Sequence, residues 1–164
     1  MDEKAIFELS TQLGEKLKAR SAWITSAESC TGGMVAQMIT SVPGSSAWFD
    51  RSFVTYSNSA KHDLLGVAEA TLNAYGAVSE ETVREMATGA LHAAHADLAI
   101  AISGIAGPDG GSEEKPVGTV WFGFADNNGR VTAVKRIFSG DRQAVRSQAT
   151  VFALQTALTE FLEK

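Results

Sequence analysis

Cysteine occurs once in this chain, at Cys30, so no intrachain disulfide is available. A chain without disulfides suits a reducing compartment, and a cytoplasmic location is expected. Histidine occurs only three times, and no set of His, Cys, Asp and Glu has the spacing of a zinc site. Neither a metal nor another cofactor is expected. No apolar run reaches the length of a membrane span. The charged start Met1-Asp2-Glu3-Lys4 lacks the long apolar core of a secretion signal. Positive charge is not in excess either. With 14 Lys and Arg against 19 Asp and Glu, the net charge is −5, which argues against broad nucleic-acid binding on a basic face. A small anionic ligand held by a few local donors stays open. Internal repeats and low-complexity tracts are missing.

What is present is ordinary globular composition. The 164 residues are 45% hydrophobic and 20% charged, which suits one domain over 1–164 with a full core. Ile6, Leu9, Leu13 and Leu17 recur at helical spacing and predict an amphipathic helix over about 3–20. A short strand over about 22–27 follows, then the turn Ala27-Glu28-Ser29-Cys30-Thr31-Gly32-Gly33 and a helix from Met34. Pro43 and Gly44 break that helix. Phe53 to Tyr56 reads as a second strand, Ser57 to Ser59 as the cap of a short helix, and Gly66 as its stop. Residues 67–78 read as a turn-rich connection with a short helical piece. Ser79 caps a helix with Glu80 and Glu81 in its first turn. Leu98 to Ile102 is a nearly continuous apolar run, the mark of a strand covered on both faces. Two further strands, 117–124 and 131–138, flank the hairpin signal Asp126-Asn127-Asn128-Gly129, and Asp141 caps a last helix to about Phe161. Early strands alternate with helices, and the last two form a hairpin. The expected fold is therefore α/β: three layers, α/β/α, around a mixed, mostly parallel five-stranded sheet. Ligands of such sheets gather beyond the carboxyl ends of the parallel strands. The segments 28–33, 56–61 and 103–107 leave strands there and are expected to make one site. Trp48 and Phe49 are candidates for a subunit contact in a homo-oligomer.

Amide hydrolysis needs a nucleophile, a base and donors for the oxyanion. Ser29 stands where strand gives way to helix, as a nucleophile or only as the helix N-cap, a role Thr31 shares. The turn Cys30, Thr31, Gly32 and Gly33 is assigned to substrate. The N–H groups of Thr31, Gly32 and Gly33 are offered to an oxyanion or a phosphate. Cys30 is the rival nucleophile, since a helix N-terminus lowers a thiol pKa. Adjacent residues on such a turn point different ways, however, and a small buried cysteine is the commoner case. None of the three histidines makes a convincing base: His92 and His95 lie late on a helix, and His62 sits in a polar helical turn. Lys61 is a better candidate. It falls in the first turn of a helix, where the dipole opposes a cation, and burial would push its pKa down further. Tyr56, at the strand end just before it, is placed to relay the proton. Solvated Lys61 and packed Tyr56 fit the spacing as well. The loop 104–111 carries Gly-x-x-Gly-x-x-Gly, but Pro108 and Pro116 bar a following helix, so it is neither a dinucleotide fingerprint nor a P-loop. Gly104, Ile105, Ala106 and Gly107 are assigned to cradling the ligand. Arg142 and Arg146, one helical turn apart, are candidates for a phosphate or for a solvated face.

The 27–33 turn, Val54-Thr55-Tyr56-Ser57-Asn58, Lys61 and the run Ser103 to Gly111 together resemble the CinA C-terminal family. Gly118-Thr119-Val120 and Gly140-Asp141-Arg142 with Arg146 extend the resemblance over nearly the whole chain. The resemblance implies a mixed-sheet α/β/α fold and a serine nucleophile with Tyr and Lys partners, roles that fall on Ser29, Tyr56 and Lys61. It also implies an activity. Stand-alone members are nicotinamide-nucleotide amidases, which convert nicotinamide mononucleotide and water to nicotinate mononucleotide and ammonia in pyridine nucleotide recycling. Longer relatives carry a further N-terminal domain, whose activity is not expected here. Two rival readings remain: an inactive nucleotide- or partner-binding module, and an amidase for another small carboxamide.

Overall fold

The computed structural model describes residues 3–163; Met1 and Asp2, half of the charged start read above, and Lys164 lie outside the described residues. The elements in chain order are α1 (Glu3–Ala19), β1 (Ile24–Glu28), α2 (Met34–Thr40), β2 (Phe53–Val54), α3 (Asn58–Leu65), α4 (Glu69–Tyr75), α5 (Glu80–Ala93), β3 (Leu98–Gly104), β4 (Thr119–Asp126), β5 (Val131–Ile137) and α6 (Arg142–Thr156). A wider helical turn, Ala157–Leu162, continues α6. The five strands form one sheet in the order β2-β1-β3-β4-β5. β1 pairs in parallel with β2 and β3, and β4 pairs antiparallel with β3 and β5. Four strands thus share one direction and β4 opposes them, the mixed sheet the alternation implies.

Side-chain size sets the two layers. Along β3, Leu98, Ile100 and Ile102 face α1, α2 and α6, where they join Leu13, Leu17, Val35, Val145 and Leu154. Ala99 and Ala101 face the other way, against Val83, Met86, Ala87 and Ala90 of α5. The small face lets α5 come close: a Cβ on Gly123 of β4 would lie 2.3 Å from the Val83 carbonyl oxygen. The run that read as uniformly apolar is therefore large on one face and small on the other, as a two-sided strand requires.

Two expectations change here. The second strand ends at Val54 rather than Tyr56. The Thr55 N–H still donates to the Glu28 carbonyl at 2.8 Å, but the carbonyls of Thr55 and Tyr56 turn toward the Lys61 ammonium instead of a neighbouring strand. Trp48 is 3% exposed, and its indole fills the space where Gly14 lacks a side chain; Phe49 packs partly buried on the same core. Trp48 therefore belongs to the interior and offers no subunit contact, while Phe49 keeps part of its surface exposed.

Chain order dictates where a site forms. The chain leaves β1 for β2 on one side and returns for β3 on the other, so the connections part at the carboxyl ends of β1 and β3.

Candidate active site

Ser29 follows the last residue of β1. Its N–H donates to the Ile102 carbonyl at 3.0 Å, so sheet pairing with β3 holds the backbone at Ser29. The chain then reverses through Gly32 and Gly33, with φ of 59° and 102°. Side chains are disfavoured there, and two consecutive glycines make this tight turn into a helix feasible. Neither glycine can cap the helix with a side chain. That role falls to Glu28, a residue the sequence reading did not single out. Its carboxylate is fully buried; Oε1 accepts from Thr31 Oγ1 at 2.7 Å, Gly33 N at 3.1 Å and Val35 N at 3.0 Å. Oε2 accepts from Ala36 N at 3.0 Å and Ser26 Oγ at 3.1 Å. Negative charge at the start of a helix is favourable, and five donors satisfy it. The Ser29 hydroxyl is thereby free of capping. One signal for Glu28 was legible: a carboxylate ending a strand shortly before a helix that two glycines, with no side chain to cap it, precede.

The same bonds revise the oxyanion donors. Gly33 N is taken by Glu28, and Gly32 N donates to the Ser29 carbonyl at 3.1 Å. On this turn the N–H groups of Cys30 and Thr31 are the ones without an acceptor on another residue.

Lys61 enters from α3. Ser57 caps that helix, its Oγ accepting from Ala60 N at 3.1 Å, and Lys61 occupies the first turn as the spacing predicts. The side chain is 1% exposed, and Nζ lies 3.1 Å from Ser29 Oγ, 2.8 Å from the Thr55 carbonyl oxygen and 3.3 Å from that of Tyr56. No carboxylate is bonded to the ammonium. Burial lowers the Lys61 pKa to about 8, with the neighbouring Cys30 pulling weakly the other way. The neutral amine has two N–H groups and one lone pair. If the two carbonyls take the N–H groups, the lone pair faces the Ser29 hydroxyl.

Cys30 is also buried, and burial pushes its thiol up to about 11 despite the opposing charge of Arg146. The helix start therefore fails to activate it, and at neutral pH the thiol stays protonated and weakly nucleophilic. Tyr56 approaches the Ser29–Lys61 pair only through its carbonyl. Its ring is exposed, and its hydroxyl accepts from Arg142 Nη2 at 3.2 Å. The expected phenol relay has no hydrogen bond to either Ser29 or Lys61. Arg142 Nη1 also donates to the Gly107 carbonyl at 2.8 Å, tying the glycine-rich loop to the tyrosine.

These residues wall a cavity of about 270 Å³. Of the residues named from sequence, Ser29, Cys30, Tyr56, Lys61, Gly104, Ala106 and Arg142 line it. Thr31, Gly32, Gly33, Ile105 and Gly107 are not part of the lining; Ser103, from the segment 103–107 expected at the site, lines it, as do Ala77 and Val78, which were not named. Ala77 and Val78 precede α5, where sequence shows only a turn-rich connection. A larger groove of about 500 Å³ between α1 and α6 is walled by Ile6, Leu9, Val151 and Phe152, with glutamine amides as its only side-chain polar groups among the described residues. It offers neither nucleophile nor base. Among the described residues, no three His, Cys, Asp or Glu gather as a metal would need.

The family model for the CinA C-terminal domain matches residues 6–161. The chain belongs to the CinA C-terminal domain family. This CinA-family chain is 67% identical over 163 residues to the nicotinamide-nucleotide amidohydrolase PncC of Enterobacter agglomerans, with 99% of each chain covered. It is 61% identical over 163 residues to the protein of the same name from Escherichia coli K12, again over 99% of each. Its fold superposes with a TM-score of 0.94 on the competence/damage inducible protein CihA from Agrobacterium tumefaciens, at 41% identity, covering 100% of this chain and 98% of the other. A CinA superfamily protein from Klebsiella pneumoniae matches with a TM-score of 0.91 and 44% identity over 96% and 98% of the two chains.

Proposed function

We propose that this chain hydrolyses the carboxamide of nicotinamide mononucleotide to nicotinate mononucleotide and ammonia, with Ser29 as nucleophile and Lys61 as base. The observation that carries the chemistry is the 3.1 Å contact between the desolvated Lys61 Nζ and Ser29 Oγ at the cavity wall. The substrate class comes from relatives 61% and 67% identical that bear the name nicotinamide-nucleotide amidohydrolase.

The neutral Lys61 takes the Ser29 hydroxyl proton as Oγ attacks the carboxamide carbon. The oxyanion meets the N–H groups of Cys30 and Thr31. Lys61 returns its proton to the leaving nitrogen, and ammonia departs. Water then attacks the acyl ester, Lys61 again accepting a proton and giving it back to Ser29 as nicotinate mononucleotide leaves. Such a lysine replaces the histidine of more familiar serine hydrolases. Arg142, at the cavity rim beside the Tyr56 phenol, is assigned to the phosphate, and the 104–107 backbone to the nucleotide. The phenol serves as a wall for the nucleotide rather than as a proton relay. A module that binds without turnover would have no use for a desolvated lysine aimed at a serine.

The test is ammonia release from nicotinamide mononucleotide, free nicotinamide and the dinucleotide. Turnover of the mononucleotide by wild type, with loss of about a thousand-fold or more in Ser29→Ala and Lys61→Met, is expected. Full activity in Ser29→Ala sinks the mechanism. Preference for another carboxamide moves the substrate.

A further inference from the structure

Two charged side chains outside the cavity lining grip the turn between β1 and α2 from opposite chemical sides. Glu28 takes N–H groups, as described above. Arg146, one turn beyond Arg142 on α6, takes carbonyls: Nε donates to the Cys30 oxygen at 2.9 Å and Nη2 to the Thr31 oxygen at 3.2 Å. Its remaining contact is with Gln143 Oε1, at 3.1 Å from Nη1. A Cβ at position 32 would lie 3.3 Å from Nη2, so glycine there also leaves room for the guanidinium.

The consequence follows from peptide geometry. A trans peptide is planar, and the N–H of one residue points opposite to the carbonyl of the residue before it. Holding the Cys30 carbonyl therefore aims the Thr31 N–H. Gly32 N–H does the same for Cys30 by holding the Ser29 carbonyl. These are the two N–H groups that this turn leaves without an acceptor on another described residue. A guanidinium on the carbonyl also polarises that peptide and strengthens its N–H as a donor.

We propose that Arg146 is a positioning residue for attack by Ser29: by holding the Cys30 carbonyl it aims the Thr31 N–H at the developing oxyanion, by holding the Thr31 carbonyl it fixes the Gly32 N–H that in turn holds the Ser29 carbonyl and aims the Cys30 N–H, and it does not bind the substrate phosphate. This rests on the serine-nucleophile reading above. The fork of a guanidinium matters, because one ammonium cannot hold two carbonyls in the same geometry.

The experiment uses the full chain with Arg146→Lys, Arg146→Gln and Arg146→Ala. Two activities are read: ammonia release from nicotinamide mononucleotide, and labelling of Ser29 by a fluorophosphonate, followed by intact mass. In labelling, the Ser29 Oγ–P bond forms, the P–F bond breaks, fluoride leaves and the hydroxyl proton goes to Lys61. The phosphoryl oxygen occupies the oxyanion position without any nucleotide being needed. The expected result is a fall of about a hundred-fold in both kcat and labelling rate for all three variants, with KM changed by less than about threefold. Millimolar guanidinium restores part of the labelling in Arg146→Ala, which a merely structural defect does not allow. A raised KM with kcat and labelling intact would make Arg146 a phosphate ligand and overturn the proposal. Lost labelling with no guanidinium rescue and a lowered melting temperature overturns it too. If wild type is labelled and the variants are slow, but the mononucleotide is not hydrolysed, the substrate reading fails and the role of Arg146 stands. If wild type releases ammonia without Ser29 being labelled, the role of Arg146 falls while the amidase activity stands.

Discussion

At the scale of single residues, the contrast between Lys61 and Cys30 is instructive. Both are buried beside Ser29, and burial disfavours the charged form of each. For the lysine that yields a neutral amine near pH 8, which is the useful form of a base. For the cysteine it yields a protonated thiol, the useless form of a nucleophile. The rate should therefore follow the lysine. With Lys61 as base, kcat/KM rises with pH through about 8 and levels above it, one proton being lost. A profile flat from below to above that value removes Lys61 from the role. Cys30→Ala is expected to keep activity within about threefold, since the proposed mechanism uses the peptide N–H of Cys30 and not its thiol; loss of all activity in a folded Cys30→Ala protein would transfer the nucleophile to it. Sequence carried part of this. Lys61 could be singled out because a cation in the first turn of a helix runs against the local rule. The role of Tyr56 was not legible, because spacing cannot tell a carbonyl pointing inward from a phenol pointing out.

At the scale of elements, the helices and strands followed from apolar period and turn residues, and the departures have local causes. β2 stops early because the next two carbonyls, those of Thr55 and Tyr56, serve Lys61. Glu28 was missed because a glutamate at a strand end normally reads as a solvated residue. Only the packing of α2 over the end of β1 reveals five donors converging on it. Its replacement gives a sharp prediction. Glu28→Gln keeps the shape but puts an NH₂ group where donors already point, leaving buried N–H groups facing N–H. The expected loss is about 2–4 kcal/mol of stability. In a chain of this size that corresponds to a melting temperature lower by roughly 4–15 °C. Thermal unfolding checks it, and a melting temperature within a degree of wild type would mean that α2 does not depend on this cap. Glu28→Asp should fail as well, since the shorter chain cannot reach Gly33, Val35 and Ala36 together.

At the scale of the whole molecule, a buried Lys61 carries a cost that the rest of the fold must cover. The Lys61 pKa falls from 10.5 to about 8 on folding. Below about pH 8 both folded and unfolded chains hold this proton, and the folded state bears the full penalty of a desolvated ammonium. Between about 8 and 10.5 the unfolded chain binds the proton and the folded chain does not, so stability rises with pH in that window. Above 10.5 the penalty is gone. The size of the effect is about 3 kcal/mol. Comparing wild type with Lys61→Met isolates it. Met fills the same space without a charge, but it strands the Thr55 and Tyr56 carbonyls, which costs the variant a fixed amount at every pH. The other titrating groups are shared and cancel in the difference. Urea unfolding at pH 7, 9 and 10.5 should show the stability difference moving in favour of wild type by about 3 kcal/mol across the series. A difference constant in pH would mean that Lys61 is no more desolvated folded than unfolded, and the neutral base at working pH would lose its physical cause. A difference that moves as expected would tie the stability of the sheet to the chemistry at its edge, because the same burial that weakens the fold at neutral pH supplies the amine that Ser29 needs.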